Sequence, residues 1–192
     1  MKKFELTEET KIVCGHTLYR IRAVRSFTLV SGKEVASGEL GGFVEKENNL
    51  SHDGNAWVCG NAKVCGDAKV CGNAEVYGNA EVYDNAKVYG NAEVYGNAEV
   101  YGNTWVHDNA AVYKWEHLLV IGPIGSRNAY TTFFRDKDKE ITVSCGCFLG
   151  KVDKFLEAVS TTHGDSKYAV VYKAAVEVAK LHIDLTEENE ND

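Results

Sequence analysis

Residues 74–79 read Ala74-Glu75-Val76-Tyr77-Gly78-Asn79, and the chain repeats this hexad from Ala56 to about Tyr113. Alanine recurs at Ala56, Ala62, Ala68, Ala74, Ala80, Ala86, Ala92, Ala98 and Ala110, with Thr104 in the remaining slot. Valine follows two residues later without a gap, from Val58 to Val112. A period of six fits neither an α-helix, at about 3.6 residues per turn, nor a heptad seam, at about 3.5. Within a hexad the pattern alternates, so alanine and valine face one way while the variable residue and tyrosine face the other. Glycine and asparagine tolerate φ > 0 and suit a corner after each strand. Strands this short do not stand alone; they must stack, as in a parallel β-helix.

The units resemble the hexapeptide repeat of left-handed β-helices. There an aliphatic residue is followed four positions later by a small one, as Val58 is by Ala62 and Val64 by Ala68. The resemblance implies a left-handed helix with three hexads per triangular coil. Ten hexads then make roughly three coils, a stack of about 15 Å at strand spacing. The flanks carry a narrower likeness. Gly38-Glu39-Leu40-Gly41-Gly42-Phe43-Val44-Glu45-Lys46-Glu47-Asn48-Asn49-Leu50-Ser51 resembles the lead-in of YdcK-like hexapeptide-repeat proteins. Ile141-Thr142-Val143-Ser144-Cys145-Gly146-Cys147-Phe148, with Thr162-His163-Gly164-Asp165 after it, resembles a C-terminal module of bacteriophage and prophage versions. The expected fold is mainly β: a left-handed parallel β-helix with an N-terminal β cap and a small α+β C-terminal module ending in two helices. The expected boundaries are 1–39 for the cap, 40–116 for the β-helix, 117–183 for the module and 184–192 for an acidic, disordered tail.

Lysine plus arginine number 21 and aspartate plus glutamate 28, a net charge of −7. Five of those negative charges sit on Asp184, Glu187, Glu188, Glu190 and Asp192, so the body is nearly neutral. That balance argues against an acidic mimic of DNA and against a DNA or RNA binder with a strong basic field. Met1-Lys2-Lys3 leads into a charged, alternating stretch, so no secretory signal is expected, and no run suits a membrane span. Cys59, Cys65 and Cys71 occupy the tyrosine slot of three successive hexads. On a three-sided coil they point from three faces and cannot share a disulfide. Free thiols suit a reducing cytoplasm, here that of a bacterial host cell.

Local signals place the flanking elements. Ile12-Val13, a turn at Cys14-Gly15, and Thr17 to Val24 predict a hairpin that covers the first coil's open edge. Residues 117–150 predict two or three strands, with a turn at Asp136-Lys137-Asp138-Lys139. Helices are predicted over 152–160 and 166–183. Val152, Phe155, Leu156 and Val159 line the first; Tyr168, Val171, Tyr172, Ala175, Ala179 and His182 line the second. Gly164 should end one helix and Asp165 cap the next.

Candidate chemistry is sparse. Hexapeptide β-helices include acyltransferases, which place a histidine base beside an intersubunit groove and a projecting loop. Here the repeats run without insertion, and His107 alone among the histidines falls inside them, in a tyrosine slot. No two histidines have the four-residue gap of the zinc-binding carbonic anhydrase branch, so neither metal nor other cofactor is expected. Cys145-Gly146-Cys147 suits a soft metal or a redox pair, or simply a buried small hydrophobe. His163-Gly164-Asp165 reads as an acid–base pair or as helix punctuation. Arg20, Arg22 and Arg25 suit phosphate or carboxylate, or the wet face of a strand.

The repeat sorts its outward residues into columns if each coil has eighteen residues. Tyr77, Tyr95 and Tyr113 stack below Cys59; Tyr83 and Tyr101 below Cys65; Tyr89 and His107 below Cys71. The variable slot gives a glutamate face (Glu75, Glu93), a mixed face (Lys63, Glu81, Glu99) and a lysine face (Lys69, Lys87, then Trp105). Like charges stacked at strand spacing are unfavourable, which points to a partner of opposite sign. A head-to-tail ring joins different faces of neighbouring copies, so the expected assembly is a homotrimer through Lys69, Glu75, Tyr77, Lys87, Glu93 and Tyr95. Arg20, Arg22, Tyr83, Tyr89, Tyr101 and His107 are the candidate ligand contacts. The expected function is a non-enzymatic, oligomeric binding protein of phage or prophage type. It would sequester a small nucleotide-like host ligand or block a host defence protein. The alternatives are an acyltransferase acting on a small molecule and a scaffold with no small ligand.

Overall fold

The computed structural model describes residues 2–186, so the predicted acidic tail lies, from Glu187 onward, outside the described residues. The chain is mainly β and forms two compact units that part between Trp115 and Glu116.

The first unit is a parallel β-helix of about four turns carrying a β cap. Strands β1 (Phe4–Val13) and β2 (His16–Ala23) form the predicted hairpin, paired antiparallel from Phe4 opposite Ala23 to Val13 opposite His16. Cys14 and Gly15 take φ of 49° and 83°, the double left-handed conformation of a type I′ turn. β3 (Phe27–Thr28) and β4 (Glu34–Val35) make a second, small hairpin. β5 (Leu40–Val44) pairs antiparallel with β2 and parallel with the repeat strand Lys63–Val64, so it joins the cap to the β-helix. A Cβ on Gly42 would lie 2.6 Å from the Ala62 oxygen, which is why this lead-in strand carries glycine.

Ten two-residue strands follow: β6 (Trp57–Val58), β7 (Lys63–Val64), β8 (Lys69–Val70), β9 (Glu75–Val76), β10 (Glu81–Val82), β11 (Lys87–Val88), β12 (Glu93–Val94), β13 (Glu99–Val100), β14 (Trp105–Val106) and β15 (Ala111–Val112). They stack every third strand. The mixed face runs β5-β7-β10-β13, the lysine face β8-β11-β14 and the glutamate face β6-β9-β12-β15. Leu50 bridges Val70 and starts the lysine face one rung earlier. The lead-in therefore adds a fourth coil to the three that the hexads predict. That coil also carries two extra residues at its Ser51–Asn55 corner, since Leu50 pairs with Val70 whereas Val58 pairs with Val76.

The valines from Val58 to Val112 and the alanines from Ala56 to Ala110 are buried, and Val88 is 0 % exposed. Each buried valine contributes about 1.5–3 kcal/mol relative to exposure. Thr104 fills its alanine slot by turning its hydroxyl onto the Tyr101 oxygen at 2.5 Å. At the corners Asp84 and Asp108 stand where other hexads have glycine and still adopt φ of 58° and 56°.

The cap is pinned to the first coil by Lys3, which is 0 % exposed. Its ammonium donates to the oxygens of Ala56 (2.6 Å) and Gly54 (3.4 Å). Its backbone N–H donates to His52 Nδ1 at 3.1 Å, which leaves the ring proton on Nε2 for Glu47 Oε1 at 2.9 Å. Burial, and next the nearby Arg25, push the Lys3 amine down to about 8, against the pull of Asp53 and Cys71.

The second unit is an antiparallel sheet of β16 (Leu118–Ile124), β17 (Ala129–Arg135), β18 (Ile141–Cys145) and β19 (Phe148–Lys151), in that order. Four strands thus form where two or three were predicted. Helices α1 (Val152–His163) and α2 (Lys167–His182) pack on the sheet around Phe133, Val143, Phe155, Val159, Tyr172 and Val176. Gly164 ends α1 as predicted, at φ 53°. Ser166 rather than Asp165 is the N-cap of α2, without a side-chain cap. The buried stripe of α2 is Ala169, Tyr172, Ala175, Val176 and Ala179, whereas the predicted Val171 is 41 % exposed. Valines lie all around this helix, so hydrophobic period alone does not choose its inner face. The predicted Asp136–Lys139 turn is present, and Asp136 is buried there. Its carboxylate accepts from Lys151 Nζ, from Thr142 Oγ1 at 2.5 Å and from the backbone N–H groups of Asp138 and Glu140. Burial alone would raise the Asp136 pKa, but the bonds from Lys151, Thr142 and the backbone outweigh it and hold it below the usual range.

Among the described residues no helix is long and apolar enough to cross a membrane.

Candidate functional site

The predicted columns form. Tyr77 stacks on Tyr95 at 4.8 Å, and Tyr95 on Tyr113 at 5.0 Å. Tyr83 stacks on Tyr101 at 5.4 Å, and Tyr89 lies flat on His107 at 4.6 Å. Exposure is uneven, however. Tyr101 is 54 % exposed, whereas Tyr113 and His107 are buried. Burial also holds the His107 pKa low, against the nearby Asp108. A histidine base for an external acceptor needs to reach it, and this ring is covered.

The columns differ in what they leave for a partner. On the mixed face Lys63 pairs with Glu81, Tyr83 Oη donates to Glu99 at 2.9 Å, and Arg20 pairs with Glu9 at 3.3 Å and lies over the Phe43 ring. Arg22 grips Glu5 through Nε at 2.9 Å and Nη2 at 2.5 Å. Both arginines are therefore engaged within the cap. On the glutamate face Glu75 is buried beneath the β3–β4 loop, accepting from the Ser31 N–H at 2.8 Å and its hydroxyl at 2.9 Å. Its carboxylate is used inside the chain, and of that column Glu93 lies nearer the surface. The lysine face is the open one. Lys69 and Lys87 are adjacent in register and exposed, and Lys87 lies 4.5 Å over the Trp105 ring.

The motifs set aside in the sequence as separate features meet in the second unit. The β18–β19 hairpin turns on Gly146-Cys147, with Gly146 at φ 61° in the first loop position, as a type II′ turn requires. The neighbouring β16–β17 hairpin turns on Gly125-Ser126-Arg127-Asn128. Both tips lie at one end of the sheet, and the end of α1 and the first half of α2 cover that end. Between them is a cavity of about 320 Å³.

Its floor is aromatic and apolar: Phe148, Phe155, Val159 and Tyr172. Phe155 meets Phe148 at 5.2 Å and, edge-on, Tyr172 at 5.5 Å; His163 tilts over Tyr172 at 5.7 Å. Its rim carries Ser126, Arg127, Cys147 and Thr162, all exposed. Cys145 stands in the wall, where its sulfur accepts from Thr131 Oγ1 at 3.2 Å and its thiol donates to Tyr172 Oη at 3.8 Å. Burial, and next the neighbouring Cys145 sulfur, push the Tyr172 phenol up to about 12 in spite of Arg127, so it keeps its proton at neutral pH. A Cβ on Gly125 would lie 1.9 Å from Tyr172 Oη, and its φ is 72°, so this glycine seats the phenol. Arg127 has no ion-pair partner among the described residues, and its Nη1 would lie 3.3 Å from a Cβ at Gly146. The lining holds one permanent cation and no carboxylate.

Of the residues predicted as sites, none lines this cavity. The sequence marks Cys145, Cys147 and His163 for chemistry, whereas Arg127 reads there as a turn residue and Tyr172 as core. Among the described residues no cluster of His, Cys, Asp or Glu could hold a metal ion. Compared with known proteins, the chain matches no family model and no curated sequence.

Proposed function

We propose that this chain is a non-enzymatic, homo-oligomeric binding protein. Its β-helix serves as the assembly scaffold and the C-terminal cavity holds a small ligand. The observation that carries the reading is the cavity itself: four strand and helix ends bring an aromatic floor, a phenol and a lone arginine around one space. Its resemblance to phage and prophage hexapeptide-repeat proteins supports a role in the cytoplasm of a bacterial host, sequestering a small host ligand. The left-handed sense of the helix belongs to the same resemblance.

The assembly is a homotrimer in which the open lysine face meets an acidic face of the next copy. Glu93 is the proposed acidic contact on the glutamate face of the next copy, where Glu75 binds Ser31 inside the chain. Native mass spectrometry of the purified protein tests both halves, since subunit number and retained ligand appear in one spectrum. The expected result is a trimer with a small bound mass that is lost in Gly125→Ala, where the phenol is displaced. Reversing Lys69→Glu with Lys87→Glu should loosen the trimer, most at low salt, and Glu93→Lys should restore it. A monomer at micromolar concentration would remove the assembly reading.

A further inference from the structure

We propose that the cavity takes a planar aromatic ring bearing an anionic group, the chemistry shared by a nucleoside monophosphate and an aryl carboxylate. The inference rests on the reading of the cavity as the ligand site and adds what kind of ligand fits it. Size comes first. At about 320 Å³ the space is at the lower end of small-molecule sites. One ring system with a substituent fits; a dinucleotide or an acyl carrier with its full nucleotide does not.

Shape comes second. Phe148, Phe155, Tyr172 and His163, in that order, present ring faces and edges from β19, α1 and α2, each 5.2–5.7 Å from the next. Such a box favours a flat π-system in stacked or edge-on contact over an alkyl chain. Charge comes third. Arg127 is exposed at the rim, and among the described residues no carboxylate neutralises it and no acidic side chain lines the cavity. A cationic ligand would meet like charge, and a neutral one would leave the guanidinium unused. A guanidinium presents a planar fork that matches carboxylate or phosphate oxygens. Gly146 keeps the turn beneath it bare, so the fork is not blocked. The Tyr172 hydroxyl, held protonated, can donate to a ring nitrogen or carbonyl deeper in the site.

The test uses the full chain and reads occupancy at Cys145, whose alkylation by a small thiol reagent is mapped by mass spectrometry. The probes are adenosine monophosphate, 4-hydroxybenzoate, adenosine, inorganic phosphate and glycerol phosphate. Either or both anionic aromatics should slow Cys145 alkylation, and which one does so separates the two sources. Adenosine and the two non-aromatic phosphates should need at least about tenfold higher concentration, the loss of one charged hydrogen bond or of the ring contacts. Arg127→Gln should weaken the anionic aromatics by about tenfold or more while leaving adenosine unchanged; Phe148→Ala should weaken both. Equal protection by adenosine, or by glycerol phosphate, overturns the ligand class while the cavity still stands as a site. No protection by any probe, together with no retained mass in the native spectrum, overturns both the class and the reading beneath it.

Discussion

Lys3 offers a quantitative test of how the cap is held. An amine at about 8 in the folded chain, against an ordinary value near 10.5, releases its proton earlier folded than unfolded. At pH 7.5 both states hold the proton. At pH 9.5 the folded state has lost it and the unfolded state has not, so unfolding must take a proton up and stability rises with pH. The gain over that window is about 2 kcal/mol at 1.36 kcal/mol per unit of pKa difference. Cys59, Cys65 and Cys71 act in the opposite sense, because burial raises their thiols and the unfolded chain releases those protons first. The measurement is therefore the difference between wild type and Lys3→Met, by urea titration at pH 7.5, 8.5 and 9.5. Buried Trp57 reports the transition by fluorescence. The wild type should gain on the variant by about 2 kcal/mol across the series, roughly 4–8 °C in melting temperature for a chain of this size. Parallel pH curves for the two proteins would refute the idea that Lys3 carries its charge into a buried site.

Val88→Asp places a carboxylate among fully buried residues of β11 and should cost several kcal/mol; unchanged solubility and melting would contradict the stacked core. Asp136→Asn removes the charge-assisted bond between buried Asp136 and half-exposed Lys151, which keeps Glu140 as a partner, and should cost about 1–3 kcal/mol at neutral pH. Because the Asp136 pKa is depressed, its contribution is present above the ordinary carboxylate range and lost as pH falls through the depressed value. The wild type should accordingly lose stability on acidification faster than the asparagine variant. Gly125→Ala should shift Tyr172 and raise the accessibility of Cys145 to thiol reagents, read as an increased alkylation rate.

The β-helix was legible because its signal is local and repeated: one hexad sets strand, corner, inner face and column. The Cys14-Gly15 hairpin was legible for the same reason, since turn chemistry needs two adjacent residues. What escaped was set by distant contacts. The lead-in coil falls inside the expected 40–116 β-helix, but as a rung it keeps the valine slot only at Val44, has Leu50 in the next, and breaks the spacing at its Ser51–Asn55 corner. Glu75 belongs to a perfect hexad, and only the folding back of Ser31 takes it out of the outer surface. The cavity is the extreme case. Arg127, Cys145, His163 and Tyr172 lie on four elements, and each has an ordinary local explanation: a turn, a strand end, a helix end, a core ring. Their convergence follows from the hairpin tips and helix ends sharing one edge of the sheet, which no window of sequence records.

Rungs and hexads differ in length, and this bears on how such a chain can change by duplication. The asparagine ladder joins Asn73 to Asn91 across 18 residues, one full rung. A tandem gain of that length would add a rung and leave every downstream column in line. Slippage of a single hexad would keep the buried valines and corners intact yet move each later column to the next face, so Lys87 would follow Glu75 rather than Lys69. Copy number in steps of three hexads is therefore neutral to the surface pattern, while steps of one rewrite it without harming the core. Replication slippage alone would give this architecture a ready supply of altered surfaces on an unaltered interior.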